Sequence, residues 1–230
     1  MMLESLFRKT VEKSSVDYYY IQKFMRDSAF TLEHKKLIID VGSGRSPFKN
    51  YISHNLWVSI DRRIYSGVTL IGDIRSLPLR KEIADAIVCT QVLEHVMDIN
   101  ATFQEFKRVL SVGGYLVLTI PLIFGVHDNP DFWRFTDEGI RHILQKYNFK
   151  ILKIKKKGGV FSTLGLIIRQ IPQQVFGPFS DRTNYLKWGF LLLIYLLLIP
   201  ITRLCILLDV VDQQKNFTIG YGVLATKVED

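Results

Sequence analysis

At 230 residues the chain is long enough for one domain with a sizeable core, or one domain carrying an insertion. Thirty Lys and Arg against 22 Asp and Glu leave a net charge of +8, which favours anionic partners such as nucleic acid or an anionic membrane surface. Two cysteines, Cys89 and Cys205, exclude a disulfide framework and fit a cytosolic setting. Residues 1–30 are charged throughout and lack the apolar core of a signal peptide, so none is expected.

Residues 1–36 carry apolar side chains at helical spacing, Leu3, Leu6, Phe7 and Val11 on one face and Tyr18, Ile21, Phe24 and Met25 on another. They predict a helical cap, with Tyr18, Tyr19 and Tyr20 as an alternative lid. The run Leu37-Ile38-Ile39-Asp40-Val41 then reads as a buried parallel strand. Gly42 and Gly44 follow it and remove side chains where a ligand must approach the main chain. Pro47 suits the first position of a helix. Leu56-Trp57-Val58-Ser59-Ile60-Asp61 is a second strand ending in an acid, where a doubly wound fold holds a ribose diol. Residues 68–71 give a third strand and 85–90 a fourth. Asn100 is placed to cap a helix through Phe103, Phe106, Val109 and Leu110, Gly113-Gly114 to stop it, and residues 115–121 to form a fifth strand. Strands alternating with helices imply a doubly wound, mostly parallel α/β sheet.

The set Asp40-Val-Gly42-Ser-Gly44, Asp61, Asp73-Ile74, Val92-Leu-Glu94-His95-Val96 and Val112-Gly-Gly114-Tyr-Leu-Val-Leu resembles the class I S-adenosylmethionine-dependent methyltransferases, type 11-like. The match runs from about residue 37 to 157 and resumes at 216–227. The resemblance implies a seven-stranded Rossmann-like sheet and S-adenosyl-L-methionine as cofactor. It also assigns roles. Gly42 and Gly44 would border the methionine and ribose parts, with Asp40 nearby; Asp61 would bind the ribose hydroxyls. Asp73 would accept from the adenine amine with Ile74 against the ring, and Gln91 would lie beside the methionine moiety. The pattern usually carries a third glycine where this chain has Ser46. A nicotinamide-dependent reductase would instead need a Tyr-x-x-x-Lys pair beyond the middle of the sheet, and Tyr19 to Lys23 precedes the glycine turn.

Beyond the fifth strand, residues 124–136 form a connector rich in polar and aromatic side chains, whose Trp133-Arg134-Phe135-Thr136 segment resembles a loop of some bacterial and archaeal members of the class. His127 is the general-base candidate if the acceptor is a hydroxyl; the alternative is that His127, Asp128 and Arg134 brace the loop. Thr136 reads as a helix cap. In related enzymes of quinone biosynthesis a Leu-Glu-His-Val segment contributes to a metal site together with a glutamate three residues earlier. Here that position is Gln91, so no metal is expected from Glu94 and His95.

Residues 149–157 and 217–227 read as the sixth and seventh strands. Between them residues 188–202 carry no charge. As a helix that run reaches about 22 Å, short of a hydrocarbon core of roughly 30 Å. Val160, Phe161, Leu164, Ile167, Ile168 and Ile171 mark one face of a second, amphipathic helix. Lys153, Lys155, Lys156, Lys157, Arg169, Arg182 and Lys187 are read as a basic collar facing an anionic leaflet. The resulting organisation is a helical cap (1–36), a methyltransferase core (37–157 with 216–230) and a membrane-associating insertion (158–215). The function expected is methyl transfer, by O-methylation, to a lipid-linked or amphipathic small molecule. It would take place on the cytoplasmic side of a membrane held in monotopic or re-entrant fashion through residues 160–211. A homodimer is the other use of that apolar surface. A non-catalytic membrane-bound scaffold and an RNA methyltransferase are the alternatives, although no added nucleic-acid-binding module is visible and no nucleic-acid partner is expected.

Overall fold

A computed structural model describes residues 14–33, 35–177 and 185–229. The predicted helical face at Leu3, Leu6, Phe7 and Val11 lies outside the described residues, as do Asp181 and Arg182. The chain divides into two compact units. One contains residues 22–122, 126–155 and 220–230; the other contains residues up to 21, residues 123–125 and residues 156–219.

The larger unit is built on a sheet. Its strands are β1 (Leu37–Val41), β2 (Leu56–Asp61), β3 (Leu70–Ile71), β4 (Ala84–Thr90), β5 (Leu110–Pro121), β6 (Phe149–Lys156) and β7 (Gly220–Lys227). Their spatial order is β3-β2-β1-β4-β5-β7-β6. β1 pairs in parallel with β2 and β4, β4 with β5, and β2 with β3, while β7 runs antiparallel to β5. The order reverses at β1/β4, the switch point where open α/β sheets leave a crevice at their carboxyl ends. Strands flanked on both sides bury both faces, so Ile38, Ile39, Ile87, Val88, Leu116 and Val117 are inaccessible to solvent or nearly so. Gly222 of β7 sits where a Cβ would fall 2.5 Å from the Phe24 ring, so that ring can lie directly on the strand.

Helix α1 (Val16–Ala29) precedes the sheet, α2 (Ile99–Val109) joins β4 to β5, and α3 (Asp137–Lys146) joins β5 to β6. α2 places Phe103, Phe106 and Val109 fully in the core, each contributing about 2 kcal/mol or more by removing apolar area from water. Thr136 caps α3 as expected, accepting from the Gly139 amide, with Asp137 and Glu138 in the first turn.

Four local expectations are corrected. No helix starts at Pro47: Ser46 takes φ 47°, and the few residues before β2 close as a short 3-10 turn, Lys49–Tyr51. The third strand keeps only Leu70 and Ile71. Asp98, not Asn100, caps α2 by accepting from the Ala101 amide; the Asn100 side chain instead accepts from Lys146 Nζ and Tyr147 Oη. Gly113 and Gly114 do not stop the helix, which ends at Val109. They lie within β5, where Gly113 takes φ 74° at an irregularity in the β4–β5 register.

The smaller unit contains α4 (Val160–Phe176) and α5 (Tyr185–Leu208), packed on each other between β6 and β7 in the sequence. Asp209 fastens their ends. Its carboxylate accepts from the amides of Gly159 and Ser162 at the start of α4 and from Tyr20 Oη. Asp212 accepts from the Val160 amide, and the glycine at 159 lets its carboxylate come close, since a Cβ there would displace Asp212 Oδ2. Lys157 is buried against Asp17, with Nζ to Oδ1 at 2.8 Å. Of the predicted basic collar, Lys157 and Arg169 are thus withdrawn from solvent, Arg169 with its guanidinium 5.2 Å above the Tyr195 ring and bonded to Ser14 Oγ. Lys155 is paired with Asp27.

Candidate active site

A cavity of about 440 Å³ opens at the carboxyl ends of β1 to β4. Gly42, Gly44, Asp61, Asp73, Ile74 and Gln91, all singled out in the sequence, line it. Leaving β1, the chain takes φ 66° at Gly42 and φ 51° at Gly44. Both are left-handed conformations, and at Gly42 a Cβ would also press within 2.5 Å of Val92 Cγ2. The Gly42 and Ser43 amides donate to the Ile60 carbonyl, tying the turn to β2.

Asp61 ends β2 with its carboxylate already oriented: Oδ2 accepts from the Gly44 amide and Oδ1 from the Arg63 amide, each at 2.9 Å. The remaining lone pairs suit a pair of vicinal hydroxyls. Asp73 follows β3 and is held by Arg75 through Nε at 3.0 Å and Nη2 at 2.8 Å. Those bonds draw its carboxyl down to about 2, so it is an acceptor at all physiological pH values. Gln91 takes φ 53° and is anchored to Thr119 through its amide and its Nε2.

Asp40 lies behind this wall rather than in it. It is 3 % exposed, and Ser46 Oγ donates to its Oδ2 at 2.7 Å while lying 2.6 Å from Ser59 Oγ. Burial pushes the Asp40 carboxyl up to about 7. Ser46 stands where the family pattern has a glycine. It takes φ 47°, a left-handed conformation, and donates a hydroxyl that satisfies the buried acid.

The far wall is the turn Leu93–His95 together with residues 128–132. The connector is stapled to that turn: the Phe132 and Trp133 amides donate to the Glu94 carbonyl, and Trp133 Nε1 to the Val96 carbonyl. His95 lines the cavity, with Nδ1 2.8 Å from the Pro130 carbonyl oxygen. A carbonyl only accepts, so Nδ1 carries the proton and Nε2 is the basic nitrogen. Nε2 lies 3.9 Å from Oε1 of the fully buried Glu94. His127, the base candidate in the sequence, is not in the cavity wall; its ring packs edge-on 4.9 Å from His95. The predicted brace of His127, Asp128 and Arg134 runs through Asp131 instead. Arg134 grips both Asp131 oxygens, and the His127 amide donates to one of them. That bidentate ion pair holds the Asp131 carboxyl well below the usual carboxylate range.

The fold also brings together what linear spacing kept apart. Ligand-type atoms of Glu94, His95 and His127 lie within 4.8 Å of one another. The sequence offered two such groups and the structure adds a third. One carboxylate and two imidazoles can pass a proton or take a divalent cation.

A switch-point crevice with an acid at the end of β2, another after β3 and a glycine turn after β1 suits a nucleoside-type ligand. The family model for a methyltransferase domain matches residues 40–118. The curated relatives include the ubiquinone/menaquinone biosynthesis C-methyltransferase of Caulobacter vibrioides, 29% identical over 126 residues. That match covers 52% of this chain and 46% of the relative, so the chain spans about half the length of the curated protein it matches. Solved structures of similar fold include a [4+2]-cyclase, with a TM-score of 0.59, 17% identity and coverage of 91% of this chain and 81% of that one. A geranyl diphosphate methyltransferase in complex with its cofactor superposes with a TM-score of 0.57 at 12% identity, covering 90% and 84% of the two chains. The domain match and these likenesses support a class I S-adenosylmethionine-dependent methyltransferase. They also support S-adenosyl-L-methionine as cofactor, and the donor set fits it: two carboxylates for a diol and an exocyclic amine, and an apolar Ile74 for a ring.

Proposed function

We propose that the protein transfers the methyl group of S-adenosylmethionine to a hydroxyl oxygen of a lipid-linked or amphipathic small molecule, at the cytoplasmic side of a membrane. The carrying observation is His95, an imidazole in the cavity wall with its basic Nε2 backed by Glu94. The bound cofactor supplies an electrophilic methyl on a sulfonium centre. The chain's own work is positioning and proton removal. Asp61 and Asp73 fix the nucleoside end, Gln91 and the glycine turn fix the other, and Phe132 with Pro130 narrows the acceptor side. His95 takes the proton of an acceptor hydroxyl at Nε2, and the Glu94 carboxylate stabilises the resulting imidazolium. An acceptor joining an apolar chain to a polar head is supported by two neighbours, one named for quinone biosynthesis and one for geranyl diphosphate.

Transfer to carbon is the second reading, favoured by the C-methyltransferase name of the Caulobacter relative. The test begins with calorimetric titration of S-adenosylmethionine and its demethylated product into the detergent-solubilised protein. Radiolabelled cofactor is then incubated with membrane extract and, separately, with RNA. Label in the lipid fraction as a methyl ether supports the proposal; a carbon-bound methyl replaces it with the second reading. Label in RNA overturns the acceptor class, and cofactor binding with no turnover on any extract favours a scaffold.

A further inference from the structure

The two insertion helices are built inside out. α4 buries Ser162, Thr163, Gly165, Leu166, Arg169 and Pro172. Toward solvent it turns Val160, Leu164, Ile167, Ile171 and Val175, at spacings of three and four that make one continuous stripe. α5 behaves the same way. It buries Leu191, Tyr195, Thr202 and Cys205, and leaves Phe190, Leu193, Leu197, Ile201, Leu204 and Leu207 between 45 and 70 % exposed. Water selects the opposite arrangement, with the large apolar side chains inward and small or polar ones outward. In hydrocarbon there is no such preference, and helices associate through small residues that let their backbones approach. Here a Cβ on Gly165 would stand 3.0 Å from Cys205 Cβ, so the helices meet at a glycine. Thr202 Oγ1 donates to the Ile199 carbonyl, satisfying a buried hydroxyl within its own helix.

We infer that the α4–α5 hairpin is a monotopic anchor, inserted from one side into the apolar layer of a lipid bilayer by this outward-facing apolar surface. The helix ends decide against a single crossing, and the length of α4 against a pair. The start of α4 and the residue after α5 are bonded to one another through Asp209, so both ends leave on the same side. α4 spans about 26 Å at 1.5 Å per residue, short of a roughly 30 Å core, and exposes Gln173 and Gln174 beside its apolar stripe. A helix with one apolar and one amide-bearing flank lies in the interface. α5 has a run without charge from 188 to 202 and an apolar exposed surface over that run, with Arg203 exposed just beyond it. A second copy of this chain would cover one face of that helix and leave the rest wet; lipid covers all of it. Of the basic groups, Lys157 and Arg169 are buried and Lys155 is paired, which leaves Lys153, Lys156 and Arg203 to meet headgroups among the described residues.

The anchor deepens the membrane-surface reading above and rests on it for its purpose, but its test needs neither cofactor nor acceptor. Full-length protein, freed of detergent, is mixed with phosphatidylcholine vesicles and floated on a density gradient at about 0.05 and about 0.5 M salt, which brackets strong and weak screening. Flotation at both salt concentrations, lost in Leu193→Glu/Leu204→Glu and in Ile167→Glu, is the expected result. Calorimetric cofactor binding by the same variants verifies that the larger unit is folded. Flotation only on vesicles containing phosphatidylglycerol, and only at low salt, overturns insertion in favour of charge-driven adsorption. A vesicle-free protein that runs as a discrete dimer by light scattering, and becomes monomeric in the glutamate variants, overturns it in favour of self-association. Flotation with no methyl transfer to lipid would retain the anchor and sink the acceptor proposal.

Discussion

At the carboxyl edge of β1 to β4 the polar groups are tied together before any ligand arrives: Asp61 to two amides, Asp73 to Arg75, Asp40 to Ser46. In α4 and α5 many polar groups are also bonded within the unit, but for the opposite purpose, since the surface left over is largely apolar, Gln173, Gln174 and Arg203 apart. The first region spends its hydrogen bonds to aim carboxylates at a solute. The second spends them to hide polarity from its surroundings. Internal satisfaction of polar groups therefore says little about function until one asks what is left facing outward.

The largest expected effect separates the two regions. Asp61→Ala removes the acceptor proposed for the ribose diol, and charged hydrogen bonds of this kind are each worth roughly 1.5–3 kcal/mol. Calorimetry should show cofactor affinity lowered by about 100-fold, with vesicle flotation untouched. If flotation falls as well, the two regions are not independent. Asp209→Ala is the converse. It leaves the Gly159 and Ser162 amides and Tyr20 Oη without their acceptor, a loss of about 2 kcal/mol. Thermal denaturation should reveal a midpoint lower by several degrees, while cofactor affinity stays within about twofold.

A smaller effect concerns Asp40. Its folded-state pKa is raised by burial to about 7, above the usual carboxylate value, so the folded state holds a proton that the unfolded chain releases. That contribution is fully present below about pH 4 and is lost as the pH rises through 7. Asp40→Asn should therefore flatten the decline in stability between about pH 4 and pH 7, read from denaturant midpoints of both proteins. An unchanged slope would mean that Ser46 and the surrounding loop solvate the carboxylate better than its burial implies. The smallest effect tests the cap of α2: Asp98→Ala should cost about 1 kcal/mol in the same assay, with Asn100→Ala nearer half that.

Much of the first region is readable from sequence because its causes are local. An apolar run before Asp40, glycines where φ must be positive, and acids ending β2 and following β3 are each set by a few adjacent residues. What could not be read depends on partners distant in the chain. Asn100 has the chemistry of a cap, yet Tyr147 and Lys146 claim its oxygen. The Gly113-Gly114 pair looks like a helix stop until β4 is present to make it a bulge. Asp131 was passed over for Asp128 because only the folded loop decides which carboxylate meets Arg134. His95 reached the cavity wall, in place of His127, through a bond to Pro130 thirty-five residues away. The hairpin was legible as apolar but not as inside out, since the hydropathy of α4 does not say which of its sides the neighbouring helix takes.

The Asp209 clamp gives the insertion a property useful to a protein engineer. Because one side chain touches both the entry to α4 and the exit from α5, the whole excursion from Gly159 to Asp209 leaves and returns to a single spot. Two or three residues, each reaching roughly 3.3–3.6 Å, would rejoin the chain across that gap. Closing the gap in this way would also uncover Val16 and Ile219, which pack against Leu166, so a shortened chain would measure what that contact contributes to stability.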